Sequence, residues 1–157
     1  MEEKICCFTG HRNLDGADTQ LETRLESILL SLIDEGYTTF VAGGAIGFDT
    51  LCARLVLRLK ETNPSIKLHL VFPCENQDKY WTPNQKKEYA LLRERADSYE
   101  YLFEKYNRYC MFKRNEKMVD MSSTVVAYYN GEEKGGTAMT VHYAIKKGIR
   151  VINVYGK

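Results

Sequence analysis

The sequence has no excess of charge of either sign. Its 22 basic residues are balanced by 21 acidic ones, which gives a formal net charge of +1. Proteins that bind the phosphate backbone of DNA or RNA over a broad surface usually carry a basic excess. The balance therefore makes nucleic acid an unlikely partner, and each basic group has to be judged by its position.

Long apolar segments are also missing. No apolar run approaches the roughly 20 residues that a membrane-spanning helix needs. Residues 1–4 are mostly charged and lead directly into a predicted strand, unlike the start of a secretory signal. We therefore expect no membrane association and a cytoplasmic location.

The cysteines lack the spacing of a metal site. There are five, an odd number, and none stands in a C-x-x-C pair. Cys6 and Cys7 are neighbours in a predicted strand, so their side chains should point to opposite faces of the sheet. The pattern predicts reduced thiols, and we expect neither a metal ion nor a cofactor.

Short apolar runs alternate with amphipathic segments along the whole chain. Strands are predicted at residues 5–8, 38–42, 67–72, 98–102, 124–128 and 151–154. Helices are predicted at residues 18–35, from the glycine turn to about 61, and at 83–96, 108–121 and 137–147. This alternation favours an α/β fold, a Rossmann-like three-layer sandwich with a mostly parallel central sheet flanked by helices. We expect residues 1–157 to form a single nucleotide-binding domain.

Gly43 and Gly44 connect the second predicted strand to a helix. Glycine lets the backbone approach a ligand closely, and the N-terminus of the next helix offers free N–H groups to a phosphate. The same residues also suit a tight strand-to-helix connection without a ligand. The local pattern leaves both interpretations open.

Similar features recur where other predicted strands end. In a parallel sheet these ends lie along one edge, where α/β proteins bind their ligands. The residues concerned are Gly10, Arg12, Gly43, Gly44, Glu75, Gly135, Gly136 and Thr137. Their convergence predicts a ligand site at the carboxyl edge of the sheet.

Several of these side chains have two interpretations. Arg12 is suited to bind phosphate oxygens, or it pairs with Asp15 or Asp18. Asp49, in the first turn of a helix, contacts ribose hydroxyls or only stabilises the helix dipole. Thr137 is expected to cap the last helix.

The loop after the third strand offers a site for the nucleoside. Trp81 is the only tryptophan. Its ring either stacks on a base, a role that Tyr80 could also take, or fixes the loop to the core. Glu75 is a candidate acceptor for ribose hydroxyl groups.

Four segments carry a resemblance to a known family. They are residues 9–12, 43–49, 111–120 and 135–137, which read TGHR, GGAIGFD, MFKRNEKMVD and GGT. Together they resemble the SLOG superfamily, the Rossmann-like group that includes the LOG phosphoribohydrolases and the DprA proteins, and most of all its small YpsA-like members. The resemblance implies a pocket for a nucleotide or nucleotide-sugar.

The resemblance also implies which residues contact the ligand. Arg114 matches an arginine of the LOG enzymes, although a helical arginine is ordinarily solvated. The residues expected at the ligand are Thr9, Gly10, Arg12, Gly43, Gly44, Asp49, Glu75, Trp81, Arg114, Asn115, Gly135, Gly136 and Thr137.

LOG-type catalysis is where the sequence departs from the family. The LOG enzymes hydrolyse the N-glycosidic bond of a nucleoside monophosphate with a glutamate, and that position falls on Thr140, which cannot supply the charge or the base. The catalytic candidates that remain are Arg114 and Glu75. An acid within reach of Arg114, with Glu75, Asp49 and Asp120 as candidates, would favour hydrolysis.

The sequence therefore predicts a protein that binds a nucleotide or nucleotide-sugar of the ADP-ribose or NAD type at the carboxyl edge of the sheet, a property compatible with a sensor. One alternative is a hydrolase of a nucleotide N-glycosidic bond. Another is a DprA-like DNA-binding protein. The LOG enzymes are dimers, so the resemblance leaves a homo-oligomer open.

Overall fold

A computed structural model describes residues 3–156, and its centre is one parallel sheet. Within these residues the sheet has six strands in the order β4-β3-β2-β1-β5-β6. The strands are β1 (Lys4–Gly10), β2 (Tyr37–Ala42), β3 (Lys67–Cys74), β4 (Ser98–Phe103), β5 (Thr124–Tyr128) and β6 (Arg150–Asn153). Each neighbouring pair is parallel, which confirms the predicted α/β class.

Helices cover both faces of this sheet. They are α1 (Leu21–Asp34), α2 (Phe48–Lys60), α3 (Pro83–Arg95), α4 (Cys110–Asp120) and α5 (Gly136–Lys146). The apolar side chains of α1, α2 and α3 share one core cluster, and those of α4 and α5 share another. The result is the expected three-layer, Rossmann-like sandwich.

The adjacent cysteines of β1 show how the sheet divides the two cores. Cys6 belongs to the cluster beneath α1, α2 and α3, while Cys7 belongs to the cluster beneath α4 and α5. Both are essentially inaccessible to solvent, with 0% and 1% of their surface exposed. Successive strand residues point to opposite faces, so β1 is buried on both sides, as its apolar sequence predicts.

The order of the strands creates a switch point between β1 and β5. From β1 the chain moves outward through β2, β3 and β4, and it then returns to place β5 on the other side of β1. The loops that follow β1 and β5 therefore diverge and leave a crevice at the carboxyl edge. Open α/β sheets bind ligands at this place.

Three helices begin at other residues than the sequence predicts, and the fourth helix is one of them, since it begins at Cys110 rather than at residue 108. The first begins at Leu21 rather than at residue 18, because a turn precedes it, in which the N–H of Asp18 donates to the carbonyl oxygen of Asp15 at 3.0 Å. The Asp18 carboxylate also binds the Arg24 guanidinium at 2.9 and 2.6 Å. The last has Gly135, not Thr137, as its N-cap. Gly135 has φ 105° and ψ 170°, a conformation essentially restricted to glycine.

Among residues 3–156 we find no helix that combines the length and the apolar composition needed to cross a bilayer.

Candidate functional site

A cavity of about 370 Å³ occupies the crevice between the ends of β1 and β5. Its walls come from the end of β1 and the following loop, the start of α2, one face of α4, and the loop that leads into α5. The lining residues are 8–12, 45, 49, 111, 114, 115, 132 and 134–137. The fold thus brings together residues that are more than 100 positions apart in the sequence.

Arg114 forms the buried wall of this cavity. Only 5% of its surface is exposed. Its Nη1 donates to the carbonyl oxygen of Gly43 at 2.5 Å, and its Nε donates to Oδ1 of Asn115 at 2.8 Å. The alternative of a solvated helical arginine is therefore wrong, because α4 turns this side chain towards the sheet.

Asp49 lies across Gly43 from Arg114. A Cβ atom added to Gly43 would stand 2.5 Å from Nη1 of Arg114 and 2.8 Å from Oδ2 of Asp49, so a side chain here would require both groups to shift. Oδ2 of Asp49 also accepts the N–H of Ala45 at 3.3 Å.

Burial perturbs both charged groups. It raises the pKa of the Asp49 carboxyl, an effect that Arg114 and the Ala45 N–H oppose. Burial lowers the pKa of the Arg114 guanidinium, and the negative charge of Asp49 opposes this lowering. A buried pair of opposite charges at a cavity wall is typical of functional sites.

The Gly43–Gly44 turn packs against protein groups. Gly43 borders Arg114, and Gly44, with φ 72°, lies against the ring of Phe72. Neither glycine is among the residues that line the cavity. The structure thus supports the interpretation of this turn as a tight connection.

The N-terminus of α2 is joined to the loop after β1. The N–H of Phe48 donates to the carbonyl oxygen of His11 at 3.3 Å. A side chain on Gly47 would collide with the backbone of Arg12. This helix end is therefore partly occupied by the protein itself.

The N-terminus of α5, in contrast, is open. No side chain caps it, and within residues 3–156 no hydrogen bond uses the N–H of Gly136, Thr137 or Ala138. Gly136 and Thr137 line the cavity. The start of a helix with free donors and a positive dipole end is a favourable place for an anion.

The loop after β1 contributes the positive charge of Arg12 to the cavity, and its His11 connects this loop to the loop after β5. Arg12 is exposed and lines the cavity, and neither Asp15 nor Asp18 forms an ion pair with it in the described part of the chain. Nε2 of His11 accepts the N–H of Asn130 at 3.1 Å. His11 therefore holds the β1 and β5 loops together and leaves Arg12 at the mouth.

Four of the predicted ligand residues lie elsewhere. Gly43 and Gly44, in the turn described above, do not line this cavity. Glu75 is exposed and does not line this cavity. Trp81 is half-buried, with its ring edge-on to Tyr89 at 5.4 Å between centroids, and it lines a second cavity. The other nine predicted ligand residues all line the first cavity. They are Thr9, Gly10, Arg12, Asp49, Arg114, Asn115, Gly135, Gly136 and Thr137.

Sequence reasoning missed Glu132 and Lys134, which also line this cavity. Both stand in the glycine-rich segment before α5, and the charges within that segment are the signal that could have identified them. Thr140, at the position of the LOG glutamate, donates its hydroxyl to the carbonyl oxygen of Gly136 at 2.7 Å. Its role here is to close the first turn of α5.

Comparison with known families gives a match over nearly the whole chain. The YpsA family model, described as the YspA SLOG family, matches residues 6–152. The chain belongs to this SLOG family. The family resemblance that the four sequence segments indicated is thereby confirmed.

Curated relatives of this SLOG protein include proteins of Bacillus subtilis and Halalkalibacterium halodurans. The uncharacterized SPbeta prophage-derived protein YoqJ of Bacillus subtilis is 35% identical, with 78% of this chain and 81% of YoqJ covered. The UPF0398 protein YpsA of the same organism is 23% identical, with 92% and 86% covered. The UPF0398 protein BH1768 of Halalkalibacterium halodurans is 27% identical, with 88% and 72% covered.

A solved structure shares the fold. DNA processing protein A from Helicobacter pylori, known for a single-stranded DNA binding mode, superimposes with a TM-score of 0.66 at 18% identity. The match covers 94% of this chain and 63% of the other, so this chain spans less than two thirds of that protein. At this identity the likeness concerns the fold alone.

Proposed function

We propose that this SLOG protein binds the phosphate of a nucleotide or nucleotide-sugar, of the ADP-ribose or NAD type, in the switch-point cavity. The observation that carries the proposal is the open start of α5. The N–H groups of Gly136 and Thr137 have no partner within residues 3–156, and both residues line the same cavity as the buried Arg114. Backbone donors and a guanidinium together form the usual environment of a bound phosphate.

The charges around the cavity support an anionic ligand with a sugar attached. Three basic and two acidic side chains line it, those of Arg12, Arg114, Lys134, Asp49 and Glu132. The basic groups favour a phosphate, whereas the two carboxylates are acceptors suited to ribose hydroxyl groups. Each carboxylate accepts one hydrogen bond from the protein, from the Ala45 N–H for Asp49 and from Nδ2 of Asn130 for Glu132, and its other oxygen is an acceptor for a sugar hydroxyl.

Hydrolysis of an N-glycosidic bond is the second candidate, and Asp49 is the residue that favours it. Of the three acids considered from the sequence, Asp49 lies beside Arg114, Glu75 lies outside the cavity, and Asp120 accepts the Tyr143 hydroxyl at 2.7 Å. A carboxyl whose pKa is raised by burial is suited to proton transfer. Because Thr140 supplies no charge, catalysis would depend on Asp49.

Binding of single-stranded DNA has weaker support. The Helicobacter pylori protein has that property, but a fold shared at 18% identity transfers no ligand. The net charge of +1 also gives little of the electrostatic attraction on which DNA binding depends. We therefore place a small nucleotide first.

The phosphate role of the α5 start is tested by Gly136→Pro. Proline is tolerated at the first position of a helix but has no N–H, so the variant removes one donor and keeps the helix. We expect ADP-ribose affinity, measured by calorimetry, to fall roughly 10- to 150-fold, the effect of losing about 1.5–3 kcal/mol of charge-assisted hydrogen bonding.

Gly136→Ala is the matched control. A Cβ atom at this position meets only Nδ2 of Asn115, at 4.0 Å, and the N–H remains, so affinity should stay near that of wild type. Equal affinity of the proline and alanine variants would contradict the proposal.

The second candidate, hydrolysis, is tested by chromatography of the same ADP-ribose samples and of AMP incubated in parallel. If the protein is a hydrolase, products should appear, and the Asp49→Asn variant should release them more slowly.

A further inference from the structure

A second cavity of about 760 Å³ adjoins the first. The two share Arg12 and Met111 as lining residues. The second cavity lies beneath the loop after β3, and we call it the aromatic cavity because Tyr80, Trp81 and Tyr106 line it. The two cavities are therefore adjacent, with Arg12 and Met111 at their common boundary.

Two of these rings are unusually exposed. Tyr80 is 89% exposed and Tyr106 is 62% exposed, whereas Trp81 is half-buried against Tyr89. Exposed aromatic rings beside a basic groove are the elements on which proteins stack nucleobases. Lys79, whose Nζ lies 5.4 Å from the centre of the Tyr80 ring, adds positive charge to the same wall.

The loops that carry the rings are tied together. Oδ1 of Asn76, after β3, accepts the N–H of Tyr106, after β4, at 3.2 Å. This bond holds the Tyr106 backbone next to the loop of Tyr80 and Trp81. The Asn76–Tyr106 bond therefore joins the two loops that carry these rings on one side of the aromatic cavity.

We propose that the aromatic cavity binds the base of the same small nucleotide whose phosphate occupies the first cavity. The inference rests on the proposed function and adds to it the class of ligand, a nucleotide recognised at both its phosphate and its base. Arg12, which lines both cavities, would lie along the connecting part of the ligand. Trp81 is positioned to support the stacking wall and to report on its occupancy.

The test uses the full-length protein and three probes, ribose 5-phosphate, ADP-ribose and a short single-stranded oligodeoxynucleotide. Because Trp81 is the only tryptophan and lines the aromatic cavity, its fluorescence reports directly on that cavity. We expect ADP-ribose to change the emission and ribose 5-phosphate to bind without changing it. Calorimetry should show ADP-ribose as the tightest ligand.

The double variant Tyr80→Ala/Tyr106→Ala should weaken ADP-ribose binding roughly 5- to 150-fold, the effect of losing stacking on one base. Its affinity for ribose 5-phosphate should not change. The matched control is Tyr109→Ala, since Tyr109 is 60% exposed but does not line the aromatic cavity, and this variant should bind both probes as wild type does.

The outcomes separate the two proposals. If ribose 5-phosphate binds but the double variant keeps full affinity for ADP-ribose, the base lies elsewhere and this inference is wrong, while the phosphate site stands. If neither ribose 5-phosphate nor ADP-ribose binds, the proposed function itself fails. If only the oligodeoxynucleotide binds and changes Trp81 emission, the aromatic cavity serves a DNA strand and the small-nucleotide inference is overturned.

Discussion

Arg114→Ala is expected to reduce both ligand affinity and stability. The guanidinium would contribute about 1.5–3 kcal/mol to a phosphate contact, so ADP-ribose affinity should fall roughly 10- to 150-fold. The same change removes the donor to the buried carbonyl of Gly43 and the positive charge beside Asp49. Leaving a buried acceptor without its partner should lower the free energy of unfolding by about 1–3 kcal/mol.

Arg12→Ala is the matched comparison. Arg12 lines the same cavity but is exposed, and exposed arginines contribute little to folding. Its loss should weaken ADP-ribose binding without changing denaturant unfolding by more than about 0.5 kcal/mol. If Arg114→Ala proved as stable as Arg12→Ala, the buried structural role of Arg114 would be wrong. If both variants bound ADP-ribose with full affinity, the shared phosphate site would be wrong.

Gly44→Ala is expected to cause the largest loss of stability. An added Cβ atom would stand 2.7 Å from Cδ1 of Phe72 and closer still to Cε1. Phe72 is fully buried and packs against Tyr89 and Tyr101, so it cannot move aside freely. Overpacking of about 1–3 kcal/mol adds to about 1–2 kcal/mol of strain at the positive φ of 72°. Denaturant unfolding should therefore show a loss of about 2–5 kcal/mol.

Gly43→Ala provides the contrast one residue away. Its Cβ atom would meet the ends of the Arg114 and Asp49 side chains, which can shift where a packed ring cannot. This variant should lose ADP-ribose affinity by about as much as Arg114→Ala but lose less stability than Gly44→Ala. Equal stability losses in the two glycine variants would show that the side chains around Gly43 are as rigid as the core around Phe72.

The order of strands and helices could be predicted because it depends on local patterns. The apolar run around Cys6 and Cys7 identifies a strand buried on both faces, and β1 is such a strand. The glycines at the end of β1 and in the loop after β5 also predicted the edge of the sheet at which the first cavity lies, since parallel strands bring these ends together. The sequence alone was therefore sufficient to predict the order of the strands and helices and the edge of the sheet at which the cavity lies.

The burial of Arg114 depends on a contact between distant segments. Cys110, Arg114 and Met118 are spaced four apart and are all buried, so they occupy one stripe of α4. That spacing was a usable signal. The acceptor, however, is the carbonyl of Gly43, 71 residues away, and helix periodicity alone contains no information about it.

The sequence also could not decide which glycine turn borders the cavity at the switch point. Gly43-Gly44 and Gly135-Gly136 both precede a helix, and by composition they are equivalent. The difference lies in their surroundings, because Arg114 and Phe72 occupy the space beside the first turn. Among residues 3–156, in contrast, no atom beyond the adjacent residues comes within 4 Å of a Cβ atom placed on Gly135. Only the packing of the folded chain distinguishes them.

The central claim is that the open start of α5 binds the phosphate. It is tested most directly by following the backbone amide resonances of the ¹⁵N-labelled protein during titration with ADP-ribose. We predict that the largest shifts occur at Gly136, Thr137 and Ala138, whose N–H groups have no partner in the described structure. Binding that shifts the amides of residues 43–47 and leaves those of α5 unchanged would contradict the claim.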